Sequence, residues 1–160
     1  MHKIILGAGC FWGVQHYFDQ VPGVIETAVG YSGGHVEDPG YELVCTGTTG
    51  HAEVVEISYD SDLVSLEGLL KYFFYMHDPT QLNRQGPDVG EQYRSAIFYP
   101  EDSQKQTIES VMEQVKDRFN EPIVTEVSVA SSFYPAEEYH QKFTEKTGRG
   151  GCHVAYDPQS

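Results

Sequence analysis

Ile4-Ile5-Leu6-Gly7-Ala8-Gly9-Cys10-Phe11-Trp12-Gly13 runs from an apolar strand through a glycine-rich turn into the start of a helix. A cysteine in a helix's first turn lies among backbone N–H groups that have no intrahelical partner. Such groups favour the thiolate, the nucleophilic form. The only Trp of the chain, Trp12, follows two residues on, with Phe11 between. Cys10 is therefore read as a nucleophile at the edge of a small aromatic pocket.

Working outward, 160 residues suffice for one domain with a real core. The whole chain, 1–160, is read as a single catalytic domain and as a monomer. A hydrophobic content of 39% against 21% charged residues is an ordinary globular composition. The formal charge is −14, from 24 acidic and 10 basic residues. That balance argues against nucleic acid or an anionic membrane as the main partner, since both demand clustered Lys and Arg. Its plain effect is solubility. No apolar run reaches the length of a membrane span, and no signal peptide opens the chain. Cys10, Cys45 and Cys152 make an odd, sparse set. It suggests a reducing compartment, so the cytoplasm is expected.

Hydrophobic periodicity predicts strands at 3–6, 24–31, 51–59, 95–99 and 123–129, and helices at 10–19, 65–75, 101–119 and 136–147. Val21-Pro22-Gly23 stops the first helix. Residues 32–50 and 80–92 read as long polar loops, and loops of that length usually carry function. A Gly-rich tail begins at Gly148, and residues 149–160 of it carry Cys152. The order β-α-β, loop, β-α-β, then α-β-α predicts an α+β fold. Its core would be a ferredoxin-like split βαβ with a mixed, mostly antiparallel sheet, long functional loops and a C-terminal tail.

Alternation along the 51–59 strand puts Glu53 on the face of Val55, Ile57 and Tyr59. A carboxylate on an apolar face is costly to ionise, so a raised pKa and a protonated acid are expected. Three other motifs fail on physical grounds. Gly7-Ala8-Gly9 resembles a dinucleotide fingerprint, but Trp12 stands where close helix packing needs a glycine. Gly30-Tyr31-Ser32-Gly33-Gly34 has the nucleophile-elbow spacing, but Gly and Pro follow where a helix is required. His51-Ala52-Glu53 has no Cys-x-x-Cys partner, and the seven histidines are scattered singly, so no metal site is expected.

Taken together, Gly9-Cys10-Phe11-Trp12-Gly13, Gly30-Tyr31-Ser32-Gly33-Gly34, Gly50-His51-Ala52-Glu53, the run from His77 to Gly90, Gln92-Tyr93-Arg94-Ser95 and Ala136-Glu137-Glu138-Tyr139-His140-Gln141 resemble the peptide methionine sulfoxide reductase A family. The resemblance implies reduction of the S-epimer of methionine sulfoxide, protein-bound or free. It implies Cys10 attacking sulfur and Glu53 protonating the oxygen, with Tyr41 and Tyr93 hydrogen-bonded to that oxygen. Phe11 and Trp12 would hold the S-methyl group, and Asp88 would place Tyr93 and the substrate backbone. The resulting Cys10 sulfenic acid would condense with Cys152, and thioredoxin or another dithiol would reduce the disulfide, with no bound cofactor. Cys45 reads as a small buried hydrophobe and as the rival resolving thiol.

Two other classes stay open on the residues alone. A cysteine hydrolase would pair Cys10 with His16 or His51 as base. A thiol-based oxidant sensor would use Cys10 and Cys152 as a switch.

Overall fold

In the computed structural model, which describes residues 2–37 and 39–141, the first strand is β1 (His2–Ala8) and the helix after it is α1 (Phe11–Asp19). β2 (Val24–Ser32) and β3 (Ala52–Tyr59) follow, then α3 (Leu66–Met76), with the short α2 (Tyr41–Cys45) in the connection between β2 and β3. After α3 come a small hairpin, β4 (Arg84–Gln85) and β5 (Asp88–Val89), and then β6 (Ser95–Tyr99). α4 (Ser103–Val115), β7 (Glu126–Val129) and β8 (Phe133–Pro135) complete the described chain.

The main sheet has six strands in the order β7-β6-β1-β3-β2-β8. Its centre, β6-β1-β3-β2, is antiparallel throughout. α1 carries the chain from β1 to β2, and α3 carries it from β3 to β6. In each case one strand lies between the joined pair. This is the split βαβ arrangement that the order of elements predicts. At one edge β7 joins β6 in parallel after α4, and at the other β8 pairs antiparallel with β2.

Alternation sorts the side chains into two layers. Ile4, Leu6, Val29, Val55, Ile57 and Ile97 form one core with Phe11, Val14 and Phe18 of α1 and Leu69, Leu70 and Phe73 of α3. Each large side chain fully buried there contributes about 1.5–3 kcal/mol. Ile5, Ala52, Val54, Ala96 and Phe98 face the other way and are covered by Ala130 and Phe133. α3 starts on Ser65, whose hydroxyl accepts the Gly68 N–H at 3.0 Å, a cap worth about 1 kcal/mol.

The long stretch at 32–50 is not wholly irregular, since Tyr41–Cys45 is a short helix. The stretch at 80–92 contains the β4–β5 hairpin and a 3₁₀ turn, Glu91–Tyr93. The predicted helix at 136–147 is corrected over its described part. Within 136–141 only Glu138–His140 turns, as a single 3₁₀ turn, and Phe133–Pro135 just before it is a strand. The cause is Gly30. A Cβ there would strike the Tyr134 carbonyl and the Phe133 ring. Its absence lets the later segment lie in register on β2. Gln141 then holds the segment down: its side chain accepts the Val29 N–H at 3.0 Å and donates to the Val29 carbonyl at 3.0 Å. Cys152 and the tail lie outside the described residues.

Candidate active site

Cys10 occupies the N-cap position of α1, one residue before the helix proper. The turn that delivers it depends on Gly9, whose φ is +98° and whose open side is filled by the Gln85 side chain. The backbone N–H groups of Trp12 and Gly13 draw the Cys10 pKa down, as a helix start allows, although its side chain makes no cap hydrogen bond. Burial, followed by the charges of Glu53 and Asp88, nevertheless pushes the group up to about 12 from an ordinary 9.0. The resting residue is therefore a thiol, not the thiolate that its helix position alone predicts. Removal from water outweighs two N–H groups.

Glu53 is 1% exposed and sits opposite Tyr31 in the β2–β3 ladder. Its Oε1 accepts the Phe11 N–H at 3.3 Å, which fixes the carboxyl beside the residue that follows the nucleophile. Oε2 is buried with no hydrogen-bond partner among the described residues. Burial is the main reason its pKa rises to about 8 from an ordinary 4.5; the Phe11 N–H opposes the rise and Asp88 adds to it. At neutral pH most of this carboxyl is protonated.

An aromatic wall builds out from Phe11 and Trp12, the two residues that follow Cys10. Phe11 is fully buried, and its ring centroid lies 6.4 Å from that of Trp12 and 6.2 Å from that of Tyr41. Trp12 stacks on Tyr41 at 6.1 Å. His140, also fully buried, sits 4.4 Å from Tyr41 and 5.5 Å from Trp12. Its Nδ1 accepts the Trp12 indole N–H at 2.8 Å. Burial holds the imidazole below its ordinary pKa, although Glu137 pulls the other way, so the ring can keep a lone pair for the indole. The neighbouring Glu137 ties two segments together, accepting the Tyr31 hydroxyl at 3.2 Å and the Tyr41 N–H at 3.2 Å.

Tyr41 is the first residue of α2, and Tyr93 ends the 3₁₀ turn before β6. Both phenols are raised well above their ordinary range, by burial first and then by the charge of Glu53. The two hydroxyls thus belong to the same electrostatic group as the acid. Asp88, on β5, is felt at Cys10, Glu53 and Tyr93 alike. Cys45 is exposed at the end of α2 rather than the small buried hydrophobe predicted, because α2 turns only Val44 into the core. Seven of the eight residues named from the sequence therefore come together here, while Cys152 is outside the described residues.

The histidines speak against hydrolase chemistry. His51 accepts the Gly34 N–H at 3.0 Å on Nδ1 and donates from Nε2 to the Val36 carbonyl at 2.6 Å. Both nitrogens are committed to backbone. His16 lies in the last turn of α1, away from its N-terminus. No group of three or more His, Cys, Asp or Glu side chains converges to hold a metal among the described residues. Sequence reasoning missed His140, Glu137 and Gln141 as parts of the site. The available signal was polarity: a run of two acids, a His and a Gln fits an apolar helix face poorly.

The peptide methionine sulfoxide reductase family model matches residues 2–160. A peptide methionine sulfoxide reductase MsrA of Methanothermobacter thermautotrophicus is 54% identical over 95% of this chain and 91% of its own. The structure of methionine sulfoxide reductase A of Corynebacterium diphtheriae superposes with a TM-score of 0.90 at 36% identity, covering 95% of this chain and 77% of the other. Mxr1 of Saccharomyces cerevisiae in complex with Trx2 shares the fold, with a TM-score of 0.66 at 23% identity over 97% of this chain and 89% of the other. With a family match of that extent, this chain belongs to the peptide methionine sulfoxide reductase family.

Proposed function

We propose that this protein reduces the S-epimer of methionine sulfoxide, protein-bound or free, to methionine in the cytoplasm. Cys10 sulfur attacks the sulfoxide sulfur while Glu53 protonates the sulfoxide oxygen, turning it into a leaving group. Cys10 loses its proton, the oxygen gains one, and the hydroxyl passes to Cys10 as the sulfur–oxygen bond of the substrate breaks. Methionine leaves with two more electrons, and Cys10 is left as a sulfenic acid. A neutral Glu53 serves both partners: it has a proton to give, and it places no charge beside the forming thiolate. The Trp12 and Gly13 N–H groups then stabilise that thiolate. Tyr41 and Tyr93 donate to the oxygen, Asp88 orients Tyr93 and the substrate backbone, and the Phe11–Trp12 wall holds the S-methyl group. Cys152 condenses with the sulfenic acid, releasing water, and thioredoxin or a similar dithiol reduces the disulfide. No bound cofactor is needed, and the chain works as a monomer.

The observation that carries this reading is Glu53, a buried carboxyl with one oxygen unbonded among the described residues, held next to the nucleophile's own turn. A hydrolase would need a base there, and a simple thiol sensor would need no acid. The test is methionine release from separated S- and R-sulfoxides, with and without thioredoxin, by wild type and Cys10→Ser. Release from the S-epimer alone, catalytic only with the dithiol and lost in C10S, is expected. Equal release from both epimers, or residual turnover by C10S, would sink the assignment.

A further inference from the structure

Arg94 follows Tyr93 and begins no element of its own, yet its guanidinium reaches three separate segments. Nε donates to Glu126 Oε1 of β7 at 2.9 Å. Nη1 donates to the Glu91 carbonyl at 2.9 Å, and the Arg94 backbone N–H reaches that same carbonyl at 3.2 Å. Nη2 donates to the Gly50 carbonyl at 3.0 Å. The side chain is only 13% exposed. Gly33 fits over it without a Cβ, which would lie 3.0 Å from Nη2.

The three acceptors are not equivalent. Glu91 opens the 3₁₀ turn whose last residue is Tyr93. Gly50 precedes His51 and the strand that bears Glu53. β7 is the outer edge of the sheet. A planar fork with five donors can bridge three acceptors at once, whereas an ammonium on a flexible stem cannot hold the same geometry. The 3₁₀ turn is short, and Asn83 and Gly90 on either side of the hairpin have positive φ. On its C-terminal side the turn runs straight into β6, which reaches β3 only through β1.

We infer that Arg94 is a positioning residue, setting the Tyr93 hydroxyl against the Glu53 carboxyl by bonding the Tyr93 turn to the start of β3. The inference rests on the proposed reductase chemistry, in which both groups meet the sulfoxide oxygen. A misplacement of about 1 Å at such a site costs on the order of 100-fold in rate. Ground-state binding by the aromatic wall does not pass through Arg94.

The test compares wild type, Arg94→Ala and Arg94→Lys on the S-sulfoxide, with the Tyr93 ring followed by ¹³C NMR in each. For R94A a fall in kcat of at least about tenfold is expected, with KM within about twofold and a shifted or doubled Tyr93 resonance. R94K is expected between the two, since it keeps the charge opposite Glu126 but not the three-way span. A folded R94A with wild-type kcat and an unmoved Tyr93 resonance overturns the inference, as does a loss confined to KM. Should R94A fail to fold, R94K decides on the same two readouts: lowered kcat supports the inference, and wild-type values overturn it. A wild type inactive on the sulfoxide defeats the proposed function, and the Tyr93 resonance still decides the role of Arg94.

Discussion

Cys10 and Glu53 hang from the central split βαβ unit, whereas Tyr41, Asp88 and Tyr93 hang from its insertions. On the first side, position comes from regular structure. Glu53 takes its face from strand alternation, and Cys10 takes its place from a helix start. A hydrogen bond from the Phe11 backbone N–H to the Glu53 carboxyl joins the two elements. On the other side, position comes from side chains gripping backbone. Glu137 holds the start of α2, and Gln141 holds the later segment to β2. Gln85 packs on Gly9 and accepts the Asp78 N–H at 2.9 Å. The lesson is a division of labour. Atoms that make and break bonds sit where cooperative structure fixes them, and hydrogen-bond donors sit on loops that single side chains clamp in place.

The largest test of this division is Glu53→Gln, which keeps shape and removes the acid. A loss of kcat of about 10²–10⁴-fold is expected, because proton delivery has no substitute in the site. Tyr41→Phe and Tyr93→Phe each remove one donor of two, and each should cost roughly 10- to 100-fold, less than E53Q. The double variant should lose more than the product of the singles, since one hydroxyl covers for the other. Steady-state rates on the S-sulfoxide decide. If either single Tyr variant matches E53Q, the insertions carry chemistry and the division fails.

How legible each side was follows from the same physics. Strand alternation marked Glu53, and an apolar strand running into a helix marked Cys10, because both signals are local and periodic. The split βαβ order followed from counting elements. The insertions have no period to read. α2 is only five residues long, shorter than hydrophobic periodicity can register. β8 is a strand because Gly30, about a hundred residues earlier in the chain, leaves room for it. His140 reads as a core residue until Trp12 is found bonded to it. The resemblance to the family named Tyr41, Asp88 and Tyr93, and no local pattern would have done so. The thiol's protonation state was misjudged because local sequence reveals helix N–H groups but not how far the fold around a half-buried thiol removes it from water.

A smaller effect separates the two sides without any substrate. The Glu53 pKa is near 8 in the folded protein and about 4.5 when unperturbed. A folded-state pKa above the unfolded value means the stabilising contribution of this group is fully present below about pH 4.5. It is lost as pH rises through 8, where the buried carboxyl must ionise. The loss is on the order of a few kcal/mol, or several degrees in Tm. E53Q has no such group. Its Tm should match wild type's pH trend near pH 5 and exceed wild type by several degrees near pH 9.5. A Tm difference that is the same at both pH values would mean Glu53 is hydrated and is not the core-held acid described.

The smallest expected effect lies on the insertion side, at Cys45. Although Cys45 is exposed, the partial loss of water around its sulfur raises this thiol; the Tyr41 hydroxyl draws it down and the charge of Glu53 adds to the rise. A thiol raised above its ordinary range supplies little thiolate near neutral pH, so it attacks a sulfenic acid slowly. Cys45→Ser should therefore leave both the first turnover and thioredoxin-driven recycling within about twofold of wild type. A serine hydroxyl can still accept the hydrogen bond from Tyr41. Cys152→Ser should instead allow one methionine per enzyme and stop there. Methionine yield in a single-turnover burst, followed by the steady-state rate with thioredoxin, separates the two. If C45S stops after one turnover while C152S recycles, the resolving thiol sits on α2. The insertions would then contribute a bond-forming atom, and the division would hold only for the first half of the reaction.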